Sequence, residues 1–317
     1  RYRLLATLRQ FGAAQLDDRE HAALRERHAR WFVDVAERCA VQLTGPDEGA
    51  ASAALDRDFD NLRAAFLWAV EREDADLALR TVAALREYSF RVMRAEIISW
   101  ADDATALPAA SAHERAPVVL AVSAYGRFVR GDLEDAIALG EQAVAWAEAQ
   151  GGDSAGLAER ALGNAWFYRG EVEYATAWMD RMVDAARTGS DARLAHALYM
   201  RSVAFTSVGD SVRGAQFAGE AGAAARRCAS PTAQAQAAYA LGLALESTDP
   251  EEAITHLRRA VDTAHAAGNR WIEAFALTEV LWLEARAGDP IDALARFADV
   301  VDIWYRGGDW ANQWLSL

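Results

Sequence analysis

The chain contains no lysine, so all 33 of its basic residues are arginine. That absence excludes several chemistries. A P-loop places a lysine on the β- and γ-phosphates, a protein kinase needs its strand lysine, and Schiff-base catalysis needs an amine. None of these can reside on this segment. An all-arginine composition also suits a high-GC bacterial genome. Only two cysteines occur, Cys39 and Cys228, far apart and within helical patterns. They form neither a disulfide framework nor a zinc spacing and are expected to be reduced, buried, small apolar residues of a cytoplasmic protein. No apolar run approaches the ~20 residues that a membrane span requires. No signal peptide is expected, since Arg1 already lies inside an amphipathic pattern. Both ends are expected to be cuts through a longer protein. Positive charge is in deficit: the formal net charge is −14. A phosphate-binding domain normally carries a basic face, so direct nucleic-acid binding is not expected.

What is abundant is alanine, and hydrophobic residues make up 52% of the chain. Few β-branched residues interrupt it, so intrinsic propensity favours helix almost throughout. A repeat organises these helices. A short turn followed four residues later by a small residue recurs at Gly131-Asp132…Ala136, Gly170-Glu171…Ala175, Gly209-Asp210…Gly214, Asp249-Pro250…Ala253 and Gly288-Asp289…Ala293. The acidic turn residue advances by 39, 39, 39 and 40 positions. A fixed period of this size means an array whose units bury their apolar faces against one another. Each unit reads as a helix, a tight turn and a second helix. Glycines suited to a left-handed cap, or Ser and Asp suited to an N-cap, separate the units at Gly151-Gly152, Gly189-Ser190, Ser230-Pro231, Gly268-Asn269 and Gly307-Gly308. Pro250 and Pro290 fall in a first helical turn, where the missing N–H costs nothing. The spacing predicts an all-α, right-handed superhelical solenoid of antiparallel helix pairs over residues 111–317.

The first 110 residues lack the glycine turn and are expected to be a helical linker region. An apolar stub with Tyr2, Leu4, Leu5, Leu8, Phe11 and Leu16 leads to a cap at Asp17-Asp18. A long helix to about Leu43 follows, with Leu24, His28, Trp31, Phe32 and Val35 expected on its buried face. Gly45-Pro46 breaks it. The next helix carries Leu55, Phe59, Leu62, Phe66 and Trp68, and two more are expected over 76–90 and 94–107, ending at Pro108.

Candidate catalytic motifs dissolve on inspection. His113-Glu114 begins like a zinc-protease motif, but Pro117 stands where the second histidine belongs. Asp102-Asp103 begins like the acidic cluster of helical prenyl-diphosphate enzymes, yet the third acid is missing. No two of the six histidines stand at i, i+4, and His256 and His265 lie on offset faces. Gly151-Gly152-Asp153-Ser154 is a loop without the strand and helix of a phosphate cradle. No catalytic residue, metal site or cofactor is expected. Trp31, Trp68, Trp146, Trp166 and Trp178 fit packing between units.

The stretch Leu162-Gly163-Asn164-Ala165-Trp166-Phe167-Tyr168-Arg169-Gly170-Glu171…Ala175 resembles a tetratricopeptide repeat (TPR), echoed by Leu241-Gly242 and Ala253. The other units keep the turn and lose most of the first-helix consensus, and the period exceeds the family's usual one. In the first 70 residues, Tyr2-Arg3-Leu4-Leu5-Ala6-Thr7-Leu8-Arg9-Gln10-Phe11, His28-Ala29-Arg30-Trp31-Phe32, Leu43-Thr44-Gly45-Pro46 and Asp58-Phe59-Asp60-Asn61-Leu62-Arg63-Ala64-Ala65…Trp68-Ala69 follow in order. This series resembles the segment that joins the nucleotide-binding module to the repeats in actinobacterial STAND-type regulators with an NB-ARC ATPase, the LuxR-like, AfsR-like and cyclase-linked proteins. The resemblance spans essentially the whole chain. It implies a non-catalytic sensor arm that binds a peptide, a protein or a small amphipathic ligand on its concave surface and controls an upstream ATPase in transcriptional regulation. In that family the first helix of each pair lines the groove. Carried onto this chain, the groove residues are Arg160, Asn164, Phe167 and Tyr168, flanked by Tyr125, Phe128, Tyr199, Val203 and Tyr239. They are expected to be exposed and to carry little packing. Two rival roles share these features: the regulatory segment of a nucleotide cyclase polypeptide, and a free-standing scaffold for a protein partner.

Overall fold

A computed structural model describes residues 11–307 and Asp309, apart from residues 13, 153, 288 and 289. The stub residues Tyr2 to Leu8 and the turn at Gly288-Asp289 lie outside the described residues. Among the described residues fourteen α-helices follow one another and there is no strand. They are α1 (Asp18–Gln42), α2 (Glu48–Glu71), α3 (Ala75–Arg91), α4 (Ala95–Thr105), α5 (Ala116–Val129), α6 (Leu133–Ala149), α7 (Leu157–Tyr168) and α8 (Val172–Arg187). The rest are α9 (Asp191–Ser207), α10 (Ser211–Cys228), α11 (Pro231–Leu245), α12 (Pro250–Ala267), α13 (Arg270–Ala287) and α14 (Pro290–Gly307). Each helix packs on the next, giving an all-α solenoid of helix pairs.

The turns follow from local chemistry. Gly131, Gly170 and Gly209 have φ of 83°, 81° and 89°, a left-handed conformation that costs glycine nothing. In each, the glycine N–H and the next N–H donate back to two carbonyls of the preceding helix, as in Gly170 to Phe167 at 2.9 Å and Glu171 to Trp166 at 3.0 Å. This is the Schellman arrangement, which satisfies carbonyls that a helix end leaves bare. The small residue four past each acid, Ala136, Ala175, Gly214, Ala253 or Ala293, is buried against the partner helix. A Cβ at Gly214 would collide with Thr206, so the closest of these approaches admits glycine alone.

The same turn already occurs at Glu73-Asp74 and Met93-Arg94, with Glu73 at φ 53° and Met93 at φ 55°. Asp74 N–H donates to Ala69 and Arg94 N–H to Ser89, both at 2.8 Å. Non-glycine residues hold these turns, which is why the glycine pattern did not reveal them. Where later units place a small residue after the turn, this unit has Ile98, and Gly126 on α5 makes room for it.

The buried stripe of α1 differs from the expected one. Leu24 and Trp31 are exposed, and Ala29, Val33, Ala36 and Cys39 face the core. Small residues let α1 lie close to its neighbours, while Trp31 stacks outward under Arg38. Trp68, Trp146, Trp166 and Trp178 pack against the core, as expected. Cys39 is buried and Cys228 half-buried, both free.

The stack curls until its beginning meets its end. α3 packs on α13 and α2 on α12. A fully buried ion pair holds this seam: Glu48, the first residue of α2, lies 2.8 Å from the Arg91 guanidinium at the end of α3. The Glu48 carboxylate also accepts from Ser230 Oγ at 2.7 Å, and from the N–H and Oγ1 of Thr232 at 2.7 and 2.8 Å. Ser230 is the N-cap of α11, so the carboxylate neutralises the positive end of that helix. Arg91 donates to the Ala267 carbonyl at 2.8 Å and to Thr232 Oγ1 at 2.7 Å, and Asn269 donates to the same hydroxyl at 3.0 Å.

Candidate functional site

Closure turns the inner face of the solenoid into a lumen. The helices lining it are the first of each pair: α3, α5, α7, α9, α11 and α13. Phe90 of α3 and Trp271 of α13 both lie about the Arg160 guanidinium of α7, at 5.3 and 5.1 Å from ring centroid to Cζ. Side chains so distant in sequence meet only because the helices circle one axis.

Most of the residues expected to line an exposed groove are therefore buried. Tyr125, Phe128, Arg160, Tyr199 and Tyr239 are all at most 6% exposed, and Asn164, Phe167, Tyr168 and Val203 are half-buried. The rings touch in series: Phe90 on Tyr125 at 4.7 Å, Tyr125 on Phe128 at 5.5 Å and Phe128 on Tyr168 at 5.0 Å. Tyr199 meets Tyr239 at 6.1 Å, Tyr239 meets Phe275 at 6.0 Å and Phe275 meets Trp304 at 4.8 Å. The expectation that these positions support little packing is corrected. Their rings fill much of the lumen, because one full turn of so short an array leaves a narrow interior.

The filling is incomplete at one end. A cavity of about 120 Å³ lies where α3, α7, α8, α9, α11 and α13 converge, lined among others by Phe90, Arg160, His196, Gln236 and Trp271. A buried water needs on the order of 10–15 Å³ by the same kind of measure, so this space admits a small molecule or the end of a chain. Its position follows from the packing. The inner helices α3, α5 and α7 pack in succession, as do α9, α11 and α13, whereas α7 and α9 stand apart. The apolar core divides at the same place, one cluster ending at Ala165 and the other beginning at Met179.

The polar groups around the cavity fall into two kinds. Arg91 is satisfied by the seam, and Arg86 pairs with Glu87 at 3.4 Å. Arg160 and His196 are not fully satisfied. Arg160 donates from Nη2 to the Tyr125 hydroxyl at 2.7 Å, while its buried Nε–H has no partner among the described residues. The Nδ1 of His196 lies 3.3 Å from Gln236 Oε1, and its buried Nε2 likewise has no partner among the described residues. With Gln236 Oε1 as acceptor, Nδ1 carries the proton and Nε2 presents a bare lone pair. Burial, reinforced by the charge of Arg160, pushes the His196 pKa down to about 4. The ring is therefore neutral at physiological pH.

His196, Gln236, Trp271 and Phe90 were not among the sequence candidates. A signal for two of them existed. His196 and Gln236 each stand three residues before an inner tyrosine, Tyr199 and Tyr239, on the same helical face. Farther along α11, about 15 Å from Gln236, Glu246 meets Glu279 of α13, to which Tyr239 donates its hydroxyl. Burial, then the neighbouring Glu246 carboxylate, raises the Glu279 pKa far above the ordinary range. Among the described residues no group of His, Cys, Asp and Glu could hold a metal ion, and no helix is long and apolar enough to cross a membrane.

No protein-family model matches the chain, and none of the curated proteins matches it. Solved structures do. A Rap protein complexed with competence and sporulation factor superposes with a TM-score of 0.58 at 12% identity, covering 92% of this chain and 78% of that one. Cut9, from the Cut9–Hcn1 hetero-tetramer of the APC/C, gives a TM-score of 0.51 at 14% identity over 89% of this chain and 54% of that one. Both are TPR helical proteins, and at these identities they show the fold: a TPR-like helical-repeat solenoid.

Proposed function

We propose that this chain is the ligand-receiving arm of a STAND-type ATPase regulator. In this reading residues 1–110 link it to an ATPase module in the same cytoplasmic polypeptide while their α3–α4 pair joins the lumen wall, and residues 111–317 form the rest of the repeat array. The arm is not itself an enzyme and requires no cofactor. It binds a peptide, a protein segment or a small amphipathic ligand in the lumen, and it does not bind nucleic acid or membrane.

One observation carries the reading: a cavity with unpartnered polar groups lies where the inner helix stack is interrupted. A ligand there would touch α3, α7, α9, α11 and α13 together. It would favour one relative placement of the blocks α3–α7 and α9–α13 over others, which is how differential contact becomes a signal. The Rap protein of like fold, complexed with competence and sporulation factor, supports a ligand-receiving role by analogy of fold.

The test uses the full polypeptide. A phosphate-binding loop ahead of residue 1, with ATP turnover that changes when Gln236→Trp fills the cavity, is the expected result. A cyclase domain in place of the ATPase, or no further domain, would overturn the regulator reading in favour of a cyclase segment or a free-standing scaffold.

A further inference from the structure

We infer that the cavity is a carboxylate site: Arg160 takes the carboxylate of an N-acylated amino acid, and His196 accepts the N–H next to that carboxylate. This names the ligand chemistry of the lumen and rests on the proposed ligand-receiving role, but not on the identity of the upstream module. The same chemical group occurs in two sources, a free N-acyl amino acid and the C-terminal residue of a peptide.

Charge comes first. Arg160 is 6% exposed, and among the described residues no carboxylate lies within ion-pair distance of it. Buried charges are ordinarily paired, because an uncompensated one is costly. Two of the other charges nearby are held in ion pairs. Arg91 is paired with Glu48 and Glu87 with Arg86, while the buried Asp309 carboxylate accepts from the Trp271 indole N–H at 3.4 Å and opposes the Arg160 charge only from a distance. Arg193 also has a partner. What Arg160 lacks is an acceptor for its buried Nε–H, and an anionic acceptor makes the strongest such bond.

Geometry narrows the anion. The Arg160 guanidinium is boxed by the rings of Tyr125, Trp271 and Phe90 at 4.2, 5.1 and 5.3 Å. Rings that cover its faces leave its edges for recognition, and a planar edge of N–H groups matches a carboxylate. Nη2 is occupied by Tyr125, but the Nε–H remains unspent. The second unspent atom is a neutral acceptor, His196 Nε2, which calls for an N–H or O–H donor rather than more negative charge. A carboxylate with an adjacent amide N–H supplies both. The neutral state of His196 agrees with this division of roles.

The test is calorimetric titration of the chain with N-acetylalanine, with N-acetylalaninamide, and with 2-acetoxypropionate, whose ester oxygen replaces the N–H. Binding of the acid at least about tenfold more tightly than the amide is expected, since one charge-assisted hydrogen bond is worth that much. The acetoxy acid should bind several-fold more weakly than N-acetylalanine. Arg160→Gln should abolish the preference for acid over amide. His196→Phe should abolish the preference for N-acetylalanine over the acetoxy acid. Equal binding of acid and amide to the unaltered protein, or no binding of either at millimolar concentration, overturns the proposal whether or not the variants fold. N-acetyl-tetraalanine with a free C-terminus separates the sources. Tighter binding than N-acetylalanine assigns the site to a peptide end, and weaker binding assigns it to a small molecule. Because these measurements need only this chain, acid binding with no effect on any attached module would refute the regulator reading while leaving the site intact.

Discussion

Two buried arginines border the same cavity, and they differ in how they are met. Arg91 sits in the seam with its charge opposed by Glu48, and its other donors go to Thr232 and the Ala267 carbonyl. Arg160 sits among aromatic rings and, among the described residues, makes one hydrogen bond, to Tyr125, and leaves its Nε–H idle. Both are at most 6% exposed. Burial alone therefore does not separate a structural charge from a functional one. Hydrogen-bond satisfaction does: a satisfied cluster closes the fold, and an unsatisfied one implies a missing partner.

The largest effect should come from the seam. Arg91→Ala strands the Glu48 carboxylate in the interior, and denaturant unfolding should show a loss of about 3–5 kcal/mol. A loss below about 1 kcal/mol would mean that the seam does not hold the superhelix closed. Thr232→Val removes a hydroxyl that donates to Glu48 and accepts from Arg91 and Asn269, and should cost about 1–3 kcal/mol. If it were neutral, the network would not act as a unit.

The third prediction contrasts Glu48 with the lumen carboxylate Glu279. The folded-state pKa of Glu279 is raised above its unfolded value of 4.5. As pH rises past that value the unfolded chain loses this proton while the folded chain keeps it. Stability from this group is full in acid and declines toward the raised pKa, with a slope of at most about 1.4 kcal/mol per pH unit. His196 acts in the opposite sense. Its folded pKa of about 4 lies below 6.5, so its contribution grows as pH rises between those values. The decline should thus be sought above pH 6.5, and Glu279→Gln should flatten it. An unchanged slope in that variant would show that Glu279 ionises normally.

The smallest effect belongs to Arg160. With no carboxylate in direct contact among the described residues to strand, Arg160→Met should leave the stability unchanged or raise it by about 1 kcal/mol. A loss as large as that of Arg91→Ala would erase the distinction between the two arginines.

Much of the fold could be read directly. Gly131, Gly170 and Gly209 announce their turns because a left-handed residue selects glycine. Ala136, Ala175 and Ala253 announce the close helix approach that follows. The turns at Glu73 and Met93 were illegible because ordinary residues hold the same conformation there, supported by their packing. The site was half legible. Arg160, Tyr125, Tyr199 and Tyr239 stand on inner helices, yet they are buried where exposure was expected, and His196 was not among the candidates. Both errors have one cause: a local pattern shows which way a side chain points, not what stands opposite it.

The sequence by itself determined the helices, their pairing and the period, since these rest on propensity, capping and the spacing of small residues along a few turns of chain. Only the tertiary structure decided that the solenoid closes. Closure depends on small rotations between units that accumulate over the array until Glu48 reaches Ser230 and Thr232. No local pattern encodes that sum. The same sum decided which arginine found a carboxylate and which was left facing a cavity.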